Sequence, residues 1–199
     1  ERFNHIIKNN LIKESVEKNF LIQSNQIENN FEKSKLFENC FFVEHEKIDF
    51  ISYPYEWSFN QLKSAAIHHL DFQIFLLKKN SILIDASAYN IQFKNNKPIF
   101  IDLLSIDKYK EGDYWNGYNQ FLEQFLNPLL LQSKKGISFN NWYKGNLNGI
   151  KSHDLNSVFS LKDKISLNVY LHVVLLSKIS NQTTVNPDKA LKDFNKKKK

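Results

Sequence analysis

The stretch SILIDASAYNIQFKNNKPIFIDLLSID, Ser81 to Asp107, decides how this chain is read. Two short apolar runs flank Asn95 and Asn96, and an Asn-Asn pair in that place predicts a type I′ hairpin turn, because Asn tolerates positive φ at both central positions. The hairpin over 91–101 then pairs Lys94 with Lys97 and Phe93 with Pro98, and sets Asn90 opposite Ile101, beside Asp102. Pro98 falls in a non-hydrogen-bonded pair, where its missing N–H costs nothing. A strict pleat aims Asn90 and Asp102 at opposite faces, so the two meet only where the strands have opened into loops.

Three polar residues stand at the ends of this hairpin: Asp85, Asn90 and Asp102. An Asp, an Asn five positions on and an apolar strand ending in Asp is the order found in the catalytic and metal loops of kinase-like phosphotransferases. In that chemistry Asp85 orients the acceptor hydroxyl, while Asn90 and Asp102 hold Mg²⁺ against the phosphates of ATP. The same residues are also common turn and strand-end residues in an Asn-rich chain. The residues by themselves leave both readings open.

On the N-terminal side, Ser58 with Gln61 three positions later forms a capping box, and Trp57 with Leu62 a hydrophobic staple. The helix they open is expected to run from Phe59 to about Lys79, buried on more than one stripe through Leu62, Ala65, Ala66, Leu70, Ile74, Leu76 and Leu77. Tyr53 to Trp57 reads as an aromatic loop. Its Glu56, amid Tyr53, Tyr55 and Trp57, is a candidate carboxylate for a substrate or partner, or alternatively the cap of a core cluster. Further out, residues 1 to about 40 show helical spacing and Cys40 to Trp57 suggests one or two strands.

On the C-terminal side, Asp113 is placed to cap a long helix carrying Trp115, Tyr118, Phe121, Leu122, Phe125, Leu126 and Leu129, which Pro128 kinks or ends. A third helix is expected over Asp163 to Ile179 with Leu167, Tyr170, Leu171 and Val174 inward. The lysine-rich end reads as a solvated tail. Adjacent His68 and His69 point about 100° apart on a helix, so they cannot serve one metal. His153 and His172 have no partner at metal spacing, and Cys40 has no base near it in sequence.

A chain of 199 residues, 42% of them hydrophobic, can bury a sizeable core. The net charge of +6 rests almost wholly on Lys, with Arg2 the only Arg, which argues against specific nucleic-acid recognition. A single cysteine rules out an internal disulfide and fits a reducing cytoplasmic setting. No apolar run approaches the ~18 residues that span a bilayer, so no membrane partner is expected. With no Met and a Glu at position 1, the chain reads as a piece of a longer protein.

The runs ISYPYEWSFNQLKSAAIHHLDFQ, IDASAYNIQF, PIFIDLLS and YNQFLEQFLNPLLL resemble the N-terminal region of a bacterial family of two-part proteins. The resemblance covers Ile51 to Leu131 and continues more weakly to Ser180. In that family this region precedes a class I S-adenosylmethionine-dependent methyltransferase domain, and members are named as methyltransferases or as relatives of nodulation proteins. It implies a downstream methyltransferase domain as partner. No Gly-x-Gly occurs in this chain, so S-adenosylmethionine would enter only through that other domain.

The departures from an active kinase are plain. The first glycine is Gly112, Leu83 and Ile84 stand where kinases carry His-Arg, and Leu103 and Leu104 stand for Phe and Gly after the metal-loop Asp. The expected fold is a helix-rich α+β domain resembling the catalytic, C-terminal lobe of the kinase-like fold. It would comprise a reduced N-terminal lobe (1–57), a helical lobe (58–180) and a basic tail (181–199). The expected function is an accessory, substrate-binding module of a methyltransferase-type protein. The alternatives are a Mg-dependent phosphotransferase using Asp85, Asn90 and Asp102, or an interaction domain using the Tyr53 to Trp57 aromatics.

Overall fold

The computed structural model describes residues 2–27 and 41–178. The chain divides into two compact units, Glu1–Tyr118 and Asn119–Lys199. The boundary expected at 57/58 falls inside the first unit, where Phe20, Ile22 and Ser52 before it bond to the same hairpin on which the helix after it packs. Cys40 and the tail at 181–199 lie outside the described residues.

Helix α3 (Phe59–Leu77), which follows the short α1 (Arg2–Lys8) and α2 (Leu11–Glu17), organises the first unit. Ser58 Oγ accepts the N–H of Gln61 at 3.3 Å while the Gln61 side chain accepts the N–H of Ser58 at 2.9 Å, so the capping box is complete. The helix buries one stripe, Leu62, Ala65, Ala66, His69, Phe72, Gln73 and Leu76. Leu70 and Ile74, expected inward, are exposed, as is Ile67. Burial on more than one stripe is thus corrected: the strands that pack on α3 cover a single face, whose small Ala65 and Ala66 allow close approach.

The strands packed on it include the hairpin, Ile91–Lys94 paired with Lys97–Phe100, in the register read from the sequence. Asn95 and Asn96 have φ of 50° and 63°, as a type I′ turn requires. Hydrogen-bonded and non-hydrogen-bonded pairs alternate along such a ladder. Phe100 therefore turns its backbone groups outward, where its N–H donates to Phe20 O and its C=O accepts from Ile22 N, both at 2.9 Å. That contact attaches the N-terminal segment, two short helices (Arg2–Lys8, Leu11–Glu17) and a strand (Ser24–Ile27) paired with Phe42–His45. A further pair, Ser81–Leu83 with Ile106–Lys108, closes the ends of the Ser81 to Asp107 stretch.

Asp113 caps no helix, and the next helix begins only at Tyr118. Trp115 explains the delay: its Nε1–H donates to Leu83 O at 2.7 Å and its ring stacks on His69 at 5.8 Å. Gly117 leaves room for that indole, since a Cβ there would lie 2.8 Å from Trp115 Nε1. Trp115 is spent on the core of the first unit and not on a helix face.

The helix opening at Tyr118 widens into a π turn over Leu122–Leu126 and resumes as Asn127–Lys135. Pro128 accounts for the irregularity. In a π turn the carbonyl of Glu123 would accept from residue 128, which has no N–H to give. Glu123 O instead accepts the N–H of Ile150 at 2.8 Å, and Asn127 Nδ2 donates to Ile150 O at 2.8 Å. Gly149 makes this approach possible: its φ is +91°, and a Cβ there would sit 2.2 Å from Glu123 O.

Shorter helices follow at Asn140–Gly145, Ser152–Val158 and Leu161–Lys164, and a last one starts at Leu167 and widens into a π turn from Tyr170. The single helix expected over Asp163 to Ile179 is therefore interrupted at Ser166. Its restart sets the inward face as Val169, Val173, Val174 and Ser177, and leaves Leu167, Tyr170 and Leu171 outward.

Candidate functional site

Asn90 closes a 3-10 turn, Ala88–Asn90, and Asp102 is the N-cap of another, Leu103–Ser105. Both lie just outside the hairpin strands, so the pleat no longer forces them apart. Asn90 Nδ2 donates to Asp102 Oδ2 at 3.4 Å and to Ser105 Oγ at 3.3 Å. Ser105 Oγ–H in turn donates to Asp102 Oδ2, and Asp102 Oδ1 accepts the N–H of Leu104 at 3.0 Å. Asn90, Asp102 and Ser105 form one closed triangle of donors and acceptors.

Asp85 belongs to the neighbouring turn. Its Oδ1 accepts the N–H of Ser87 at 2.8 Å, and Ser87 Oγ accepts from Tyr89 N at 3.2 Å. The N–H of Ile84 donates to Ser105 O at 2.9 Å, so the Asp85 turn and the Asp102 turn are joined through backbone.

Magnesium needs oxygen lone pairs around it, several from carboxylate and carbonyl oxygens. Here the Ser105 hydroxyl spends its proton on Asp102, so it accepts from Asn90, and Asn90 must present its N–H₂ and not its carbonyl oxygen. Both Asp102 oxygens already accept from the protein. In this arrangement Asn90 and Asp102 meet through a hydrogen bond, with the Asn90 N–H₂ turned to the carboxylate where a Mg²⁺ ligand would turn its oxygen. Among the described residues no group of three His, Cys, Asp or Glu side chains is placed to hold a metal.

The aromatic loop is fastened to the same hairpin. Gln92 accepts the N–H of Ser52 through Oε1 and donates to Ser52 O through Nε2, both at 3.0 Å, so a side-chain amide pairs as a strand would. Ser52 Oγ accepts from Trp57 Nε1 at 2.9 Å, and the Trp57 ring meets Phe93 edge-on at 5.1 Å. Trp57 is 1% exposed and thus a core residue, which removes it from the expected partner-contact set. Glu56 Oε2 accepts the N–H of Tyr53 at 2.9 Å and acts as a local cap. Tyr53 and Tyr55 remain at the surface, their rings stacked at 5.4 Å. Burial, followed by the influence of Tyr55, holds the Tyr89 hydroxyl above its ordinary pKa of 10.0.

Sequence reading missed Ser105, Gln92 and Ser52. Ser105 had a signal, since Asp102 followed three residues later by Ser is the spacing of a capped turn. The Gln92–Ser52 pairing spans 40 residues and left none.

His68 and His69 are structural. His68 Nε2 lies 3.0 Å from Phe20 O, and burial lowers its pKa. His69 sits between Phe100 and Trp115, where burial pushes its pKa down to about 3. No described helix is long and apolar enough to cross a membrane.

No protein-family model matches this chain, and no solved structure matches it. It is 44% identical over 142 residues to the nodulation protein NoeA of Rhizobium meliloti strain 1021. The match takes in 71% of this chain but only 30% of that relative. Identity at this level over so much of the chain means common descent: across these residues the chain is a homologue of a NoeA-type nodulation protein, and it spans under a third of that protein's length.

Proposed function

We propose that this chain is an accessory module, binding a substrate or partner, within a longer methyltransferase-type protein active in a nodulation-like setting. The observation that carries the reading is the uneven match, 71% of this chain against 30% of the relative, which leaves most of such a protein to other parts. The absence of any Gly-x-Gly supports an S-adenosylmethionine site elsewhere in the polypeptide. The surface offered to a ligand is the Tyr53–Tyr55 stack.

In this reading the fold descends from the kinase-like catalytic lobe, and the Asn90–Asp102–Ser105 triangle keeps the hairpin base closed instead of holding Mg²⁺. The test is calorimetric titration of this chain with Mg-ATP and, separately, with S-adenosylmethionine, and of the full-length polypeptide with S-adenosylmethionine. Heat only from the full-length polypeptide with S-adenosylmethionine supports the module. Stoichiometric Mg-ATP binding by this chain, lost in Asp102→Ala, would replace it with a phosphotransferase.

A further inference from the structure

Among the described residues of the second unit, the helix that starts at Leu167 is largely apolar, with Asn168, His172 and Ser177 as its polar side chains before Lys178. Val169, Val173 and Val174 are buried beneath it. The opposite side carries Leu167, Tyr170, Leu171 and Leu175, all exposed, at the i, i+3, i+4 and i+8 spacing of one helical stripe. Leu161, on the short helix before it, and Ile165, just past that helix's end, are 84% and 81% exposed. The thirteen residues Ile165–Ser177 include no Lys, Arg, Asp or Glu, in a chain where those types make up 24%.

A helix that carries large apolar side chains on its outer as well as its inner side is better stabilised when the outer side is covered too. Six large apolar side chains at this exposure present on the order of 500–700 Å² of apolar surface, at the upper end of what a monomer shows to water and enough for an interface between domains. Charges are confined to the margin, at Lys162, Lys164 and Lys178. An apolar centre with a charged rim is how one folded domain is seated on another.

From this face we infer that Leu161, Ile165, Leu167, Tyr170, Leu171 and Leu175 seat another domain of the same polypeptide, the counterpart of the part of the relative outside the matched region. That occupant is favoured over a second copy because 70% of the relative's length lies outside the match, so a covering domain is available in cis at high effective concentration. The inference rests on the module reading in one respect only, that this chain works as part of a longer polypeptide.

The experiment is lysine cross-linking with mass spectrometry on the full-length polypeptide that carries this chain, with hydrogen exchange on the same samples. Lys162, Lys164 and Lys178 are expected to link to lysines outside the 199 residues. Leu167→Glu with Leu171→Glu should reduce those links at least about tenfold and raise amide exchange over 161–177, while exchange over 59–77 stays unchanged. Leu167→Ser with Leu171→Ser serves as the milder pair should the charged one aggregate. Links found only between isotopically distinguished copies would assign the face to self-association and overturn the inference. Absent links with fast exchange in the wild type would overturn it as well. Neither readout uses enzymatic activity, so failure of the surface and failure of the proposed function are told apart.

Discussion

Asn90 and Asp102, twelve residues apart across the hairpin, are joined by an amide N–H donated to a carboxylate oxygen at 3.4 Å. Their meeting depends on both having left the strands for 3-10 turns. The hairpin base is a lock built from the residue types of a metal loop.

Asp102→Ala removes the acceptor for the Leu104 N–H, the Ser105 hydroxyl and the Asn90 amide together. Stranding partly buried donors costs about 1–3 kcal/mol. Urea unfolding should show that loss, with no change in heat on adding Mg-ATP. A variant as stable as the wild type would show the triangle to be without structural weight.

Gln92→Leu keeps the volume of the side chain but gives up both hydrogen bonds to the Ser52 backbone. The expected cost is again about 1–3 kcal/mol, since the Ser52 N–H and C=O lose their partners. Backbone exchange over 52–57 should rise and Trp57 fluorescence shift to the red as the loop loosens. Gln92→Glu should be worse, because it sets a carboxylate oxygen against Ser52 O.

His69 sets a pH limit. Its folded pKa of about 3 lies below the ordinary 6.5, with burial as the main cause and His68 second. The unfolded chain therefore takes up a proton first, so this contribution to stability is complete above about pH 6.5 and is lost progressively as pH falls toward 3. Within that window one such group gives a slope approaching about 1.4 kcal/mol per pH unit. His69→Phe should flatten stability between pH 6 and 4 relative to wild type in paired urea titrations. Parallel curves for the two proteins would refute the assignment.

Gly149→Ala brings a Cβ to 2.2 Å from the Glu123 carbonyl oxygen at a residue with φ of +91°. Left-handed backbone costs a Cβ residue about 1–2 kcal/mol, and overpacking adds about 1–3 kcal/mol. Thermal unfolding should show a loss of this combined size together with faster exchange at the Ile150 amide, whose bond to Glu123 O would be pushed apart. Gly112→Ala, with nothing near its Cβ position, is the control for positive φ without a clash.

The sequence by itself determined what depends on neighbours along the chain. The turn at Asn95–Asn96, the register of Phe93 with Pro98, and the Ser58–Gln61 cap are short-range matters of backbone preference and local hydrogen bonding, and all are present. Tertiary packing decided the rest, because it draws on partners far away in sequence. Trp115 was held by Leu83 and His69, so Asp113 opened no helix. Leu70 and Ile74 lay on the side of α3 that received no strand. Asn90 turned its N–H₂ toward Asp102 because the Ser105 hydroxyl had already committed its proton. Spacing can bring three polar residues to one place, but which atoms they present follows from the hydrogen bonds around them.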